Sequence, residues 1–308
     1  MTTLDKCEGV IFGLAIGDAL GWPTEFIRLE QIKSQYGEHG IEDLPDPALY
    51  TDDTQMSLAV AEALIESGKD DLDTVMASIR KYFILWYHSP ENNRAPGPTC
   101  LRGVENLEAG TGWRNSGNSD SKGCGSAMRV APIGFLYQDQ PEKLRQVAKA
   151  SGICTHGHPT AIAASIGAAY LVKAALDGMD PEHMIEGLLG FTSGISEEWE
   201  AAIGKVQECL DWEEEEDALR YLGEGWVGEE AVALALYCFL RSPEDYSNVV
   251  LRAANTNGDS DSIACIAGSI SGAYLGANAI PRDWKDRIEK KEYLTSIANG
   301  LNDLQRSL

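Results

Sequence analysis

Two stripes of small residues at four-residue spacing constrain the fold of this chain more than any other feature. The first stripe consists of Gly9, Gly13, Gly17 and Gly21, and the second, near the other end of the chain, of Ala264, Gly268, Gly272 and Gly276. A spacing of four aligns residues along one ridge of an α-helix, although each glycine destabilises a helix by roughly 1 kcal/mol relative to alanine. The stripes therefore predict helices whose backbones approach each other very closely.

A third run of small residues, 161–169, predicts a third central helix packed against these two. No alternating pattern typical of a β-strand is present, and neither a repeat nor a change in composition marks a linker. We therefore predict an all-α fold in which residues 1–308 form a single domain.

The helical periodicity indicates where the other helices lie. The first helix should end at or just before Pro23, because proline disfavours helical backbone in the preceding residue. Further helices are predicted over about 53–66, 72–88, 101–108, 141–152, 159–177, 181–190, 196–211, 229–240, 244–254, 262–278 and 285–305. Residues 27–50 are predicted to be irregular, and residues 89–127 to form long loops around one short helix, a length usually associated with function or mobility.

The charge balance excludes one broad class of function. The chain carries 48 acidic and 25 basic residues, a net charge of −23, whereas a general nucleic-acid binder needs basic residues to neutralise phosphates. Part of the acidity is the run Glu213–Asp217, which is better explained as a solvated helix face or loop than as a metal site. A small nucleotide-like ligand in a local pocket is still compatible with this charge.

The cysteines and the apolar runs indicate the compartment. The seven cysteines are scattered without a CxxC pair, which is typical of reduced thiols in a cytoplasmic protein. Asp5 and Glu8 stand where a signal peptide would carry basic residues. We find no eighteen-residue apolar run, so we expect no membrane span.

Two clusters of acids and hydroxyls carry the candidate chemistry. Asp259-Ser260-Asp261-Ser262 and Thr51-Asp52-Asp53-Thr54 each precede an apolar helical run. Acids and hydroxyls are also common at helix N-termini, so either cluster alone is compatible with a simple cap. Carboxylate and hydroxyl oxygens are, however, hard ligands of the kind that suits Mg²⁺, Mn²⁺ or Ca²⁺. Together, the two clusters could hold one or two such cations.

Five motifs in order along nearly the whole chain resemble the ADP-ribosylglycohydrolases, which include the dinitrogenase reductase-activating glycohydrolases and the ADP-ribosyl-acceptor hydrolases. They are Gly13–Gly21 with Glu25, Thr51–Met56, Gly123–Arg129, Thr155–His158 and Asn255–Ser262. The resemblance implies the compact all-α fold of that family.

The resemblance also implies a binuclear Mg²⁺ (or Mn²⁺) centre and a hydrolase that cleaves the N- or O-glycosidic bond at C1″ of ADP-ribose. Such a bond breaks through an oxocarbenium-like transition state. The implied metal ligands are Thr51, Asp52, Asp53, Asp259, Asp261 and Ser262. The implied catalytic residues are Glu25, Asp52 and Asp261, with Glu25 acting in acid–base work or as a gate; a surface cap after Pro23 is the alternative for Glu25.

The residues expected to bind substrate are Gly97, Gly123, Gly125, Ser126, Met128, His156 and Trp226. The loop 123–128 would cradle the pyrophosphate, since glycines permit close backbone approach. His156 would contact the phosphates or the adjacent ribose, and Trp226 would line the pocket or stack on adenine. A plain loop, a structural histidine and a tryptophan in the core are the respective alternatives.

The identity of the acceptor stays open at this level. Arginine-specific bacterial relatives carry an acid in the loop that corresponds to residues 94–99, whereas this loop contains Arg94 and no acid. The expected partner is the ADP-ribose moiety of a modified protein or of a small conjugate. The alternative is a catalytically weak ADP-ribose-binding or toxin-neutralising protein of the same fold, and an antitoxin role towards an ADP-ribosyltransferase is compatible with either. A haloacid-dehalogenase-type phosphatase would need a strand before Asp259, for which the sequence gives no support.

Overall fold

The computed structural model describes residues 2–308, which form sixteen α-helices and no β-strand, so the predicted all-α class is confirmed. In chain order the helices are α1 Thr3–Gly21, α2 Leu29–Tyr36, α3 Asp52–Ser67, α4 Leu72–Tyr87, α5 Pro98–Glu108, α6 Ala131–Leu136, α7 Pro141–Ile153, α8 Pro159–Leu176, α9 Pro181–Thr192, α10 Glu197–Cys209, α11 Glu215–Leu222, α12 Gly228–Leu240, α13 Tyr246–Ala254, α14 Ser260–Leu275, α15 Arg282–Arg287 and α16 Lys291–Gln305. Short 3₁₀ turns cover Trp22–Thr24, Cys124–Ser126 and Ala277–Ala279. Buried apolar side chains from both ends of the chain form one continuous core.

Helices α1 and α14 run antiparallel with their backbones in direct contact, as the two stripes predict. A Cβ atom added at Gly13 would lie closer than 3.0 Å to the carbonyl oxygen of Gly268, and one added at Gly17 would meet Ala264 in the same way. Real Cβ atoms essentially never come this close to a carbonyl oxygen. The antiparallel arrangement brings the last turn of α1 beside the first turn of α14.

Helix α8 is the third central helix, and it corrects one expectation from the sequence. It spans eighteen residues with a mean hydropathy of 1.4, long and apolar enough to cross a membrane by length and composition, which we had not expected of any segment. Within the fold, however, 83% of this stretch is buried, as in the core helix of a globular protein. Its backbone contacts α6, because a Cβ atom at Gly134 would overlap the carbonyl oxygen of Ala169.

Three short helices, α2, α6 and α11, lie in stretches where the sequence predicted none. Helices of six to eight residues show little periodicity, and tertiary packing supplies most of their stability. Helix α11 begins inside the acidic run, where its first-turn acids favour the positive end of the helix dipole. The predicted helix 285–305 is interrupted, because Lys290 adopts a positive φ of 53° between α15 and α16.

Candidate metal centre and substrate pocket

The two clusters of acids and hydroxyls meet in the fold, where the first turns of α3 and α14 face each other. The Ser262 hydroxyl donates a 2.7 Å hydrogen bond to Oδ1 of Asp53. The Thr51 hydroxyl lies 3.3 Å from Oδ2 of Asp53 and 3.4 Å from Oδ2 of Asp261. Residues separated by most of the chain therefore share one polar centre.

Glu25 belongs to the same centre. One carboxylate oxygen each of Glu25, Asp259 and Asp261 lies within 4.8 Å of the others, a spacing that a single cation can bridge. Glu25 ends the 3₁₀ turn Trp22–Thr24, but it is half-buried and its carboxylate faces the acids of the centre, so it is more than a surface cap.

The acids of this centre have no cationic partner among residues 2–308. No lysine, arginine or histidine nitrogen of these residues lies within 4.0 Å of their carboxylates, although all but Glu25 are almost completely buried. The six acids are Asp18, Glu25, Asp52, Asp53, Asp259 and Asp261. Buried carboxylates without compensating charge are strongly destabilising, and this all-oxygen donor set fits hard divalent cations such as Mg²⁺ and Mn²⁺.

Burial and mutual repulsion raise the pKa values of these carboxyl groups in the metal-free protein. Burial, followed by repulsion from Asp18 and Asp259, raises the pKa of Asp52 to about 8 against an opposing hydrogen bond from the Gly97 N–H. Burial and repulsion from Asp259 raise the pKa of Glu25 to about 9. The centre therefore holds protons near neutral pH, and a cation has to displace them.

Asp18 is a member of this centre that the sequence analysis did not assign. Its buried carboxylate accepts hydrogen bonds from the backbone N–H and the hydroxyl of both Thr51 and Thr54, at 2.6–3.0 Å. The Thr51 side chain does not cap α3, so a residue of α1 caps it instead. Burial raises the pKa of Asp18 to about 6 despite these hydrogen bonds. The available signal was a single acid within the small and apolar stretch 9–21 of α1.

A pocket of about 230 Å³ opens onto the acidic centre. Its lining includes most of the predicted site residues: Glu25, Asp52, Asp53, Gly97, Gly123, Gly125, Met128, His156, Trp226, Asp259 and Ser262. Thr51 and Asp261 lie behind this lining within the polar centre. Ser126 is fully buried, and its hydroxyl faces the Ala161 carbonyl oxygen of α8 at 3.5 Å, so its side chain does not line the pocket.

Phe26 and Cys124 also line the pocket, although the sequence analysis named neither as a site residue. The Cys124 thiol donates a 2.8 Å hydrogen bond to Oδ2 of Asp259. Phe26, which is 63% exposed, stacks on Trp226 with ring centroids 5.3 Å apart. Trp226 is itself 38% exposed at the rim of the pocket, which excludes the alternative that it packs in the core.

The loop 123–128 is held against the segment that follows α11. Gly123 pairs with Val227 in an isolated bridge, and the Cys124 N–H donates to the Trp226 carbonyl oxygen at 3.2 Å. On the opposite side, Arg94 forms an ion pair with Glu289 and donates to the carbonyl oxygen of Tyr50. The only basic residue in loop 94–99 is therefore paired with Glu289 and with none of the acids of the centre.

The fold and the site together define a class of protein. Its members are all-helical chains that carry an acidic centre, lined by oxygen atoms, beside a small pocket. The ADP-ribosylglycohydrolase family model matches residues 1–307, and the chain belongs to this family. The predicted assignment to hydrolases acting on glycosyl bonds is thereby confirmed.

Relatives align along almost the whole chain. An uncharacterised protein of Archaeoglobus fulgidus is 31% identical over 308 residues, covering 97% of both chains. The ADP-ribosyl-[dinitrogen reductase] glycohydrolase of Rhodospirillum rubrum is 29% identical, with 93% of this chain and 91% of that protein covered. A solved ADP-ribosylglycohydrolase-related protein complex is 27% identical and superimposes with a TM-score of 0.77, covering 98% of this chain and 99% of the other.

Proposed function

We propose that this chain hydrolyses the N- or O-glycosidic bond at C1″ of ADP-ribose and thereby removes ADP-ribose from a modified protein or a small conjugate, in a reaction that depends on Mg²⁺ or Mn²⁺. The observation that carries this proposal is the convergence at a pocket of six carboxylates that have no cationic partner among residues 2–308, in a chain of this family. Buried carboxylates without compensating charge destabilise the folded state, so such a centre is best explained by the binding of cations.

Two divalent cations would be held by the predicted ligands, whose oxygens converge between α3 and α14: Thr51, Asp52, Asp53, Asp259, Asp261 and Ser262. When bound, the cations would neutralise the carboxylates, orient the ribose hydroxyls and lower the pKa of a water molecule. The all-oxygen donor set supports this assignment, while the choice between Mg²⁺ and Mn²⁺ rests on the measurement below.

Glu25 is the residue of the chain best suited to move a proton in this reaction. Its carboxyl group lines the pocket, and its burial, the largest cause of its raised pKa, favours the protonated form. A protonated Glu25 can donate to the leaving-group atom as the glycosidic bond breaks. Asp52 and Asp261, the other two catalytic residues implied by the resemblance, would accept hydrogen bonds from the attacking water.

The opposite wall of the pocket suits the pyrophosphate. Gly123 and Gly125 expose backbone without side chains, which lets an anion approach N–H groups closely. Gly97 also lines the pocket, but its N–H donates to the carboxylate of Asp52. His156 lies beside Gly123 and Gly125, with ring atoms about 3.1 Å from Cβ atoms added at these glycines. The stacked pair Phe26 and Trp226 offers aromatic surface at the rim for a base or for the acceptor group.

Neither loop 94–99 nor membership of the family identifies the group to which ADP-ribose is attached. The proposal therefore covers arginine, serine, nucleobase and O-acetyl linkages. The Rhodospirillum rubrum relative is named for removal of ADP-ribose from dinitrogen reductase, which supports a protein acceptor. Loop 94–99 supplies no carboxylate that could pair with a guanidinium leaving group.

Release of ADP-ribose from a panel of these four linkages tests the proposal. The protein is assayed with Mg²⁺, with Mn²⁺ and with chelator, beside Asp261→Ala and Glu25→Gln. We expect cation-dependent release that Asp261→Ala abolishes and Glu25→Gln slows by at least ~100-fold, the lower range for general acid catalysis. ADP-ribose binding without release from any linkage would favour the binding or toxin-neutralising protein, and absence of cation binding would refute the proposal.

A further inference from the structure

Arg129 is a fully buried arginine that forms no ion pair within residues 2–308. Its guanidinium group donates instead to the carbonyl oxygens of Gly125 and Ser151 and, at 2.7 Å, to the hydroxyl of Thr155. It also lies over the ring of Phe83, 4.8 Å from the ring centroid. A buried guanidinium without a carboxylate is unusual, and these contacts link it directly to the wall of the pocket.

The Thr155 hydroxyl connects Arg129 to His156. Its oxygen accepts from Arg129 and lies 2.8 Å from Nδ1 of His156, while the other available acceptor, the Gly152 carbonyl oxygen, is 3.4 Å away. Because arginine can only donate, the Thr155 proton is free for the nearer acceptor, Nδ1. Nδ1 then carries no proton, and the proton of the neutral ring resides on Nε2.

The Nε2 atom of His156 faces the pocket. The His156 side chain lines the pocket next to Gly123 and Gly125, and within residues 2–308 its Nε2 makes no hydrogen bond. The contact of Nδ1 with the Thr155 hydroxyl and the burial of the side chain hold the ring in this orientation. An unpartnered ring nitrogen on a side chain that is only 2% exposed points to a ligand.

We propose that Arg129 and Thr155 are positioning residues that hold His156 as a neutral imidazole whose Nε2–H donates to an anionic phosphate oxygen of the ADP-ribosyl substrate. The identity of the ligand in this proposal rests on the function proposed above, whereas the position of the proton on the His156 ring does not. Burial and the nearby Arg129 charge lower the pKa of His156 to about 3, which keeps the ring neutral at physiological pH. The ring therefore acts as an uncharged donor rather than as an acid or a base.

Nitrogen NMR of the histidine rings tests the proton position without any substrate. The chain has five histidines, so the His156 signals are identified by their loss in His156→Gln. We expect the Nε2–H tautomer in the wild type and in Thr155→Ser, which keeps the hydroxyl. In Thr155→Val, which lacks it, we expect a substantial population of the Nδ1–H tautomer. A wild-type Nδ1–H tautomer, or a Thr155→Val spectrum identical to the wild type, would overturn the positioning role.

Calorimetry with free ADP-ribose in the presence of Mg²⁺ tests the donor. The amide nitrogen of Gln reaches about as far as Nε2, whereas that of Asn reaches only as far as Nδ1. We therefore expect His156→Asn to weaken binding by about 10- to 100-fold, the range for a lost hydrogen bond to a charged group, and His156→Gln to restore most of it. Thr155→Val should weaken binding about 3- to 10-fold, with Thr155→Ser near the wild type.

The exposed residue His183 on α9 provides the matched control, and His183→Asn should bind as the wild type does. Equal affinity of His156→Asn and the wild type would overturn the donor role. Absence of ADP-ribose binding by the wild type would overturn the ligand assignment together with the proposed function, while the tautomer measurement would still decide the role of Thr155. Thr155 is tested first because removal of the buried Arg129 side chain would also disturb folding.

Discussion

Thr51 donates its backbone N–H, at 2.9 Å, and its hydroxyl, at 2.8 Å, to Oδ1 of Asp18. Asp18 lies near the end of α1, and Thr51 precedes α3, so this contact ties a central packing helix to a helix that supplies candidate metal ligands. The packing of α1 against α14 thus fixes both halves of the acidic centre at once.

Asp18→Ala is expected to destabilise the protein by about 2–4 kcal/mol. Four donors of Thr51 and Thr54 lose their acceptor, each at about 1–3 kcal/mol, and removal of a buried charge offsets part of that loss. We also expect cation affinity to fall at least ~10-fold, because the Thr51 hydroxyl is no longer oriented. Urea unfolding and Mn²⁺ titration measure the two effects. Asp18→Asn keeps one carbonyl oxygen as an acceptor, so it should lose less stability and less cation affinity than Asp18→Ala. Stability and cation affinity equal to the wild type in Asp18→Ala would contradict the role of Asp18 in orienting Thr51.

Gly272→Ala is expected to destabilise the fold by at least ~3 kcal/mol. The new methyl group would overlap the Gly9 backbone, and backbone cannot rotate aside as a side chain can. Gly204→Ala on α10 is the matched control, since an added Cβ there meets nothing within 4 Å. That control should stabilise the protein by up to ~1 kcal/mol. Urea denaturation compares the two variants, and equal effects would show that the stripe is not in tight contact.

The metal-free protein should lose stability as pH rises. The folded-state pKa values of Asp52, about 8, and Glu25, about 9, exceed their ordinary values of 3.8 and 4.5. The folded state therefore holds these protons more tightly than the unfolded chain does. The contribution of these two groups to the free energy of unfolding is complete at a pH below their ordinary pKa values. It is lost as the pH rises through about 8 to 9.

Thermal unfolding in chelator between pH 6 and 9 measures this loss, and added Mn²⁺ should raise the melting temperature more at pH 9 than at pH 6. Calorimetry in two buffers of different ionisation enthalpy should also show protons released on cation binding. A metal-free melting temperature that rises between pH 6 and 9 would contradict the predicted sign.

Trp226→Ala is expected to raise KM about 10-fold with little change in kcat. The side chain stacks on Phe26 at the rim and carries no group that can bind a cation or exchange a proton in this reaction, so we expect it to contribute binding equally to ground and transition states. Trp212→Ala is the matched control, because Trp212 has the same 38% exposure and packs on Tyr221 outside the pocket. The control should leave both constants unchanged. A fall in kcat without a change in KM would place Trp226 in the chemical step instead.

The long helices of this protein and the close contact between two of them could be predicted from its sequence. The glycine stripes predicted backbone contact because a missing Cβ at four-residue spacing has few other uses in a helix, and Gly13 meets Gly268 as expected. The long periodic helices were likewise predicted, whereas α2, α6 and α11 were too short to show a period.

Residue type and order determined the candidate ligands and the family, but tertiary packing decided which of these groups touch. Asp18 and Cys124 join the acidic centre, and Ser126 turns away from the pocket, through contacts between segments far apart in the chain. The raised carboxyl pKa values and the chain of contacts from Arg129 through Thr155 to His156 depend on burial and distance. The sequence therefore determined which chemical groups are available, and only the packed structure decided their burial, partners and protons, because these depend on distances in space.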